Sequence, residues 1–133
     1  MKYLYIVRGP FGTGKTEFAR TITSNVVSCW DYYASHGENK WNEDLKPFAD
    51  NYCRKQVDTF MQEGREVIAV TNSFSQNSDL DYYYELAEKQ GYKVFSLVMD
   101  CRDHEEYKRD APQSVVLKQI LNLKNNLTFH HYF

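Results

Sequence analysis

Hydrophobic and polar positions along this chain change period several times, and each change marks the border of a predicted element. Residues 2–8, Lys-Tyr-Leu-Tyr-Ile-Val-Arg, are a short apolar and β-branched run that predicts a strand. A glycine-rich stretch follows, and from Glu17 to Ile22 the pattern turns helical. Residues 25–30 read as a second strand that ends at Asp31-Tyr32-Tyr33, and the polar, aperiodic residues 34–40 read as a loop. Residues 44–62 predict a long helix, with Asp44 as its N-cap, Pro47 in its first turn, and Leu45, Phe48, Tyr52, Val57, Phe60 and Met61 near a 3.6 period. Gly64 ends it.

Residues 66–72 are apolar and β-branched without alternation, which predicts a strand buried on both faces and set beside the first. Asn77 or Ser78 is the expected cap of a helix carrying Leu80, Tyr83, Tyr84 and Ala87, which Gly91 stops. Residues 92–100 read as a fourth strand, and the charged residues 101–110 as a short helix or lid. Pro112 opens a last helix over residues 113–127, with Val116, Ile120, Leu123 and Leu127 along one side, and an aromatic tail, residues 128–133, is expected to pack on the body. Four strand-helix units with short connections predict an α/β fold: about four parallel strands between helices, joined by right-handed crossovers. The 133 residues fit a single domain, 1–133.

The stretch Gly9-Pro10-Phe11-Gly12-Thr13-Gly14-Lys15-Thr16 fits G-x-x-x-x-G-K-[ST] at every fixed position, between a strand and a helix. Its glycines let backbone N–H groups curl round an anion, to which the following helix adds its positive end. Residues 9–16, with Glu17 beside them, are therefore the expected binding segment for the phosphates of a nucleoside triphosphate. Lys15 would reach the β- and γ-phosphates, and the Thr16 hydroxyl would take one Mg²⁺ position. The predicted architecture is thus a P-loop NTPase fold of three layers, α/β/α. No N-K-x-D guanine-reading motif occurs, so ATP is the expected nucleotide.

Net charge narrows the partners. At −2 the chain has no overall basic field, so contact with nucleic acid would need a local patch. The eleven tyrosines read as core and rim residues more readily than as base-stacking platforms. Three cysteines, Cys29, Cys53 and Cys101, stand far apart without a C-x-x-C pair, which predicts free thiols in a reducing cytoplasm, and no signal peptide or bilayer-length apolar run is present. His130 and His131 have no partner at zinc-ligand spacing.

The order of these features resembles the small P-loop kinases related to polynucleotide 5′-hydroxyl kinases and to NEDD4-binding-protein-like kinases, of the broader AAA-type ATP-binding class. Arg8-Gly9 leads into the loop, and Thr16-Glu17-Phe18-Ala19-Arg20 stands where such proteins show S/T-x-x-A-R. Asp31-Tyr32 falls at their D-D-Y signature, Thr71-Asn72 at D-T-N or N-T-N, and Asp100 with Lys108-Arg109 at the aspartate and basic pair of the lid. The resemblance implies transfer of the γ-phosphoryl group of ATP to a hydroxyl of a nucleotide, a nucleic-acid 5′ end or a small metabolite. It also implies Asp31 as the base and Arg109 as the lid cation, beside Lys15.

Four positions depart from that pattern. Trp30 stands at the first aspartate of D-D-Y, and Tyr33 and Ala34 stand where an acceptor-gripping arginine would be. Val70 precedes Thr71-Asn72 in place of an aspartate, and Arg109-Asp110 runs straight into Ala111-Pro112 without a longer basic loop. These departures motivate a second reading, a catalytically weak nucleotide-binding module that presents a surface to a protein partner.

Overall fold

The computed structural model describes residues 1–35, 42–100 and 112–127. Most of the expected loop at 34–40, the charged segment with Arg109 and the aromatic tail therefore lie outside the described residues. Four strands, β1 (Tyr3–Arg8), β2 (Val26–Ser28), β3 (Val67–Asn72) and β4 (Lys93–Val98), form one parallel sheet in the order β2-β3-β1-β4. The helices are α1 (Lys15–Ile22), α2 (Trp30–Ser35), α3 (Lys46–Gln62), α4 (Asp81–Gln90) and α5 (Gln113–Asn125). The α/β class, the four parallel strands and the placing of β3 beside β1 agree with the sequence.

The two faces of the sheet are covered by different helices, because alternate residues of β1 and β3 point opposite ways. Leu4, Ile6, Ile68 and Val70 are buried against Cys53, Val57 and Met61 of α3 and Tyr83 and Ala87 of α4. On the other face Val7 and Ala69 meet Ala19 of α1. The connections leaving β1 and β3 thus go to opposite faces, and adjacent strands that part in this way open a crevice beyond their carboxyl ends.

Several boundaries shift from the sequence reading, each for a local reason. Asp31 does not close a strand; β2 stops at Ser28 and Trp30 begins a short helix. The helix expected to be capped by Asp44 opens with a 3-10 turn, Glu43–Leu45, in which the Asn42 side chain accepts from the Asp44 N–H at 2.9 Å. Its buried row is Ala49, Cys53, Val57 and Met61, an i,i+4 stripe, whereas Phe48 is 60% exposed. Gln76, not Asn77 or Ser78, forms the capping box, with Asp79, ahead of the 3-10 turn Asn77–Leu80. Gly91 closes α4 as expected, at φ 78°.

The cysteines differ most. Cys29 at the end of β2 is bonded to Cys53 of α3, with Cα atoms 5.7 Å apart and both residues buried. Linear spacing concealed this pair, because the crossover from β2 lays α3 back over the sheet. No helix among the described residues is long and apolar enough to cross a membrane.

Candidate active site

At the carboxyl end of β1 the chain has no room for a side chain. A Cβ on Gly9 would lie 2.9 Å from the Met99 carbonyl and 3.1 Å from Thr13 Oγ1, while Met99 N–H donates to the Arg8 carbonyl at 2.7 Å. Gly14, at φ 80°, is the residue from which α1 starts. Residues 9–16 close on themselves: the Thr13 hydroxyl and the Lys15 ammonium both donate to the Pro10 carbonyl, at 2.9 and 2.8 Å. Lys15 is buried and lies 5.8 Å from the centre of the Phe11 ring.

Arg8, immediately before this loop, is buried too. Its Nε donates to the Phe74 carbonyl at 2.9 Å, and Phe74 holds a left-handed φ of 41°. Its Nη2 has no hydrogen-bond partner among the described residues, and burial lowers the guanidinium pKa against the opposing pull of Tyr84 and Asp79. This charge pins the segment after β3 to the end of β1 and so fixes one side of the crevice.

A cavity of about 170 Å³ sits at that crevice. It brings together Phe11, Gly12, Gly14, Lys15, Thr16 and Glu17 of the expected binding segment with Asp31, the candidate base. Gly9, Pro10 and Thr13 form the frame beneath rather than the wall. Arg109 lies outside the described residues, but a different cation, Arg20 of α1, lines the cavity. Asp31 is an exposed residue, yet the cavity walls withdraw enough water to raise its carboxyl pKa, an effect partly offset by the positive charge of Arg20.

Three hydroxyls converge on the floor. Thr16 Oγ1 donates to Ser28 Oγ at 3.2 Å and lies 3.2 Å from Thr71 Oγ1. Ser28 and Thr71 end neighbouring strands, paired in register, so the sheet itself sets their spacing. Sequence reading named only Thr16 as a metal ligand; it singled out Thr71-Asn72 by resemblance, and noted Val70, which is buried in the core, in place of an aspartate. The alternation of β3 turns Thr71 toward the cavity instead. Asn72 beside it donates to Asp50 of α3 at 3.2 Å and accepts from Ser73 N–H at 2.8 Å. No group of three or more His, Cys, Asp or Glu side chains able to hold a metal occurs among the described residues. A metal held at Thr16 would rely on hydroxyls, phosphate oxygens and water, which suits Mg²⁺, an ion that keeps much of its water shell.

Aromatic rings form the outer wall. Phe11 and Trp30 meet edge to face at 5.2 Å, and Trp30 packs on Tyr33 at 5.4 Å. Burial beside the Asp50 charge pushes the Tyr33 hydroxyl up to about 12, so the phenol stays neutral. Gln119 of α5 was not foreseen either: it is buried, and its Oε1 accepts from the Phe11 N–H at 3.0 Å. An isolated glutamine on a helix leaves no sequence signal for such a role.

Fold and cavity together define a P-loop α/β/α architecture, with a parallel sheet, a glycine loop at its crevice and a helix leaving that loop. No protein-family model matches the chain. Solved structures similar in fold include a chain of the Pnkp1/Rnl/Hen1 RNA repair complex, at TM-score 0.70 and 20% identity over 93% of this chain and 44% of that one. A chain of the AvrRxo1-ORF1:-ORF2 complex follows at TM-score 0.62 and 18% identity, over 93% of this chain and 48% of that one. A protein from Chloroflexus aurantiacus assigned as a kinase gives 0.58 and 17%, over 93% and 68% of the two chains. The chain thus spans less than half the length of the first two, and at these identities the likeness is one of fold.

Proposed function

We propose that this protein is an ATP-dependent phosphotransferase that moves the γ-phosphoryl group to a hydroxyl acceptor. The observation that carries the reading is one cavity, at the crevice of a parallel sheet, lined by the Lys15 ammonium, the Thr16 hydroxyl, the Asp31 carboxyl and the Arg20 guanidinium. Phosphoryl transfer asks for positioning and neutralised charge with one weak base, and those four groups supply that set.

In this reading the N–H groups of residues 12–16 hold the β-phosphate, and Lys15 exchanges the Pro10 carbonyl for phosphate oxygens. Mg²⁺, when bound, would neutralise charge on the β- and γ-phosphates, and Thr16 would hold it, with Ser28 and Thr71 orienting that hydroxyl. Asp31 takes the proton of the acceptor hydroxyl as its oxygen attacks phosphorus and the bond to the ADP oxygen breaks. Its raised pKa brings the carboxyl nearer to neutrality, where a general base works best. Arg20 offsets charge on the transferring group, as a lid cation such as Arg109 would.

We propose further that residues 1–133 act as a single unit and that the acceptor enters from the side of α3. The test is transfer of phosphate from labelled ATP in the presence of Mg²⁺ to a panel of hydroxyl compounds, with Lys15→Ala as the control. Tight ATP binding without transfer to any acceptor would leave the second reading, a nucleotide-binding module that signals to a protein partner. Trp30, an aromatic residue at the place of an acid, is the observation that favours it.

A further inference from the structure

Beside the phosphate cavity lies a larger one, of about 360 Å³, between the turn that starts α3, the segment after β3 and helix α5. Its walls include Glu43, Lys46, Gln76, Asp79, Lys118 and Gln119. The two cavities are linked. A small hollow between them shares Asn72 with the first and Lys46, Ser73 and Asp79 with the second. Gln119 joins them from the other side: it is 8% exposed, and its Oε1 is held by the Phe11 N–H of the phosphate loop. Its amide nitrogen has no hydrogen-bond partner among the described residues. A buried amide so fixed offers a ready donor to a molecule in the second cavity.

The chemistry of the walls narrows what that molecule is. Two lysines face two carboxylates, and Lys46 is already bonded to Asp50 at 2.9 Å, so among the described residues the lining has no uncompensated positive charge for a phosphate chain. Carboxylates that only accept stand with ammonium groups that only donate and amides that do both, which is the set that hydroxyls satisfy, since each hydroxyl donates and accepts.

We propose that this cavity seats the acceptor of the phosphotransferase, whose reacting hydroxyl extends past the hollow at Asn72 to Asp31 in the phosphate cavity, and that the acceptor is an uncharged polyhydroxylated molecule, of the sugar or polyol class, rather than a nucleic-acid end. The proposal rests on the kinase reading given above. Placement beside Gln119 would also connect an occupied acceptor site to the loop that holds the phosphates.

The test uses the whole chain, a panel of monosaccharides and polyols, and a 5′-hydroxyl oligonucleotide. Ligand-observed NMR with a non-hydrolysable ATP analogue reads binding, and ³¹P NMR with ATP and Mg²⁺ reads transfer. At least one sugar or polyol should bind and accept phosphate, and the oligonucleotide should not. Glu43→Gln and Lys118→Ala, both at exposed positions, should each weaken acceptor binding about tenfold without changing ATP affinity. Three outcomes would overturn the proposal: phosphorylation of the oligonucleotide alone, binding of no panel member, or sugar binding that both variants leave unchanged. Loss of the kinase reading looks different, since it would appear as failure to bind the ATP analogue while the polyol experiment still reads the cavity directly.

Discussion

Thr16 and Thr71 face each other across the floor of the cavity, with hydroxyl oxygens 3.2 Å apart and no carboxylate between them. A hydroxyl can orient a neighbour or a bound water, but it adds no negative charge to hold a divalent cation. Thr71→Asp should therefore tighten Mg²⁺ binding to the nucleotide-loaded protein, by about tenfold for one added charge-assisted contact. Titration of Mg²⁺ by calorimetry at saturating ATP analogue reads this directly. Unchanged affinity would place the metal away from Thr71.

Asp31 sets a pH dependence. Its carboxyl pKa is raised, first by desolvation, so the ionised form needed in a base appears at a higher pH than for an ordinary aspartate. The acid limb of kcat should lie correspondingly high, and Asp31→Asn should remove that limb while lowering transfer about 100-fold or more. The same shift means that stability falls slightly as pH rises through this range, because the unfolded carboxyl ionises first. A limb at the ordinary value, or one that survives in Asp31→Asn, would speak against Asp31 as base.

Cys29 and Cys53 close a loop of sequence separation 24. Restricting the unfolded chain to that extent contributes about 3 kcal/mol. Non-reducing peptide mapping should recover the Cys29–Cys53 pair, and reduction should lower the urea midpoint by the corresponding amount. The link also ties α3 to the end of β2, two residues before Asp31, so reduction should weaken transfer more than it weakens ATP binding.

Much of this architecture was legible in the chain, and the exceptions share a cause. Alternation, glycines and β-branched runs are local signals, so β1, β3, the loop at 9–16 and the Gly91 end of α4 fell where they were expected. What escaped depends on contacts distant in sequence. Thr71 and Ser28 reach Thr16 only because β2 and β3 pair in register, and Gln119 reaches Phe11 across 108 positions. Phe48 matched a helical period yet stands 60% exposed, because the face that α3 buries is chosen by the sheet beneath it. Asp31 was assigned to a strand end because the apolar run at 25–30 masks the start of α2 at Trp30.

Gly9 provides a test of the loop frame. An alanine there would set its Cβ 2.9 Å from the Met99 backbone carbonyl, a contact that neither strand end can relieve cheaply. Gly9→Ala should cost about 1–3 kcal/mol in urea unfolding and should weaken ATP binding with it. Unaltered stability would mean that β1 and the segment after β4 part more readily than their 2.7 Å hydrogen bond implies.

The central claim concerns the grip of residues 9–16 on a triphosphate. Calorimetric titration of the wild-type chain with ATP and Mg²⁺ should give a single saturable site, and Lys15→Ala should weaken it at least tenfold by deleting the ammonium that now rests on the Pro10 carbonyl. No heat of binding in the wild type, or equal affinity in the Lys15→Ala variant, would contradict it.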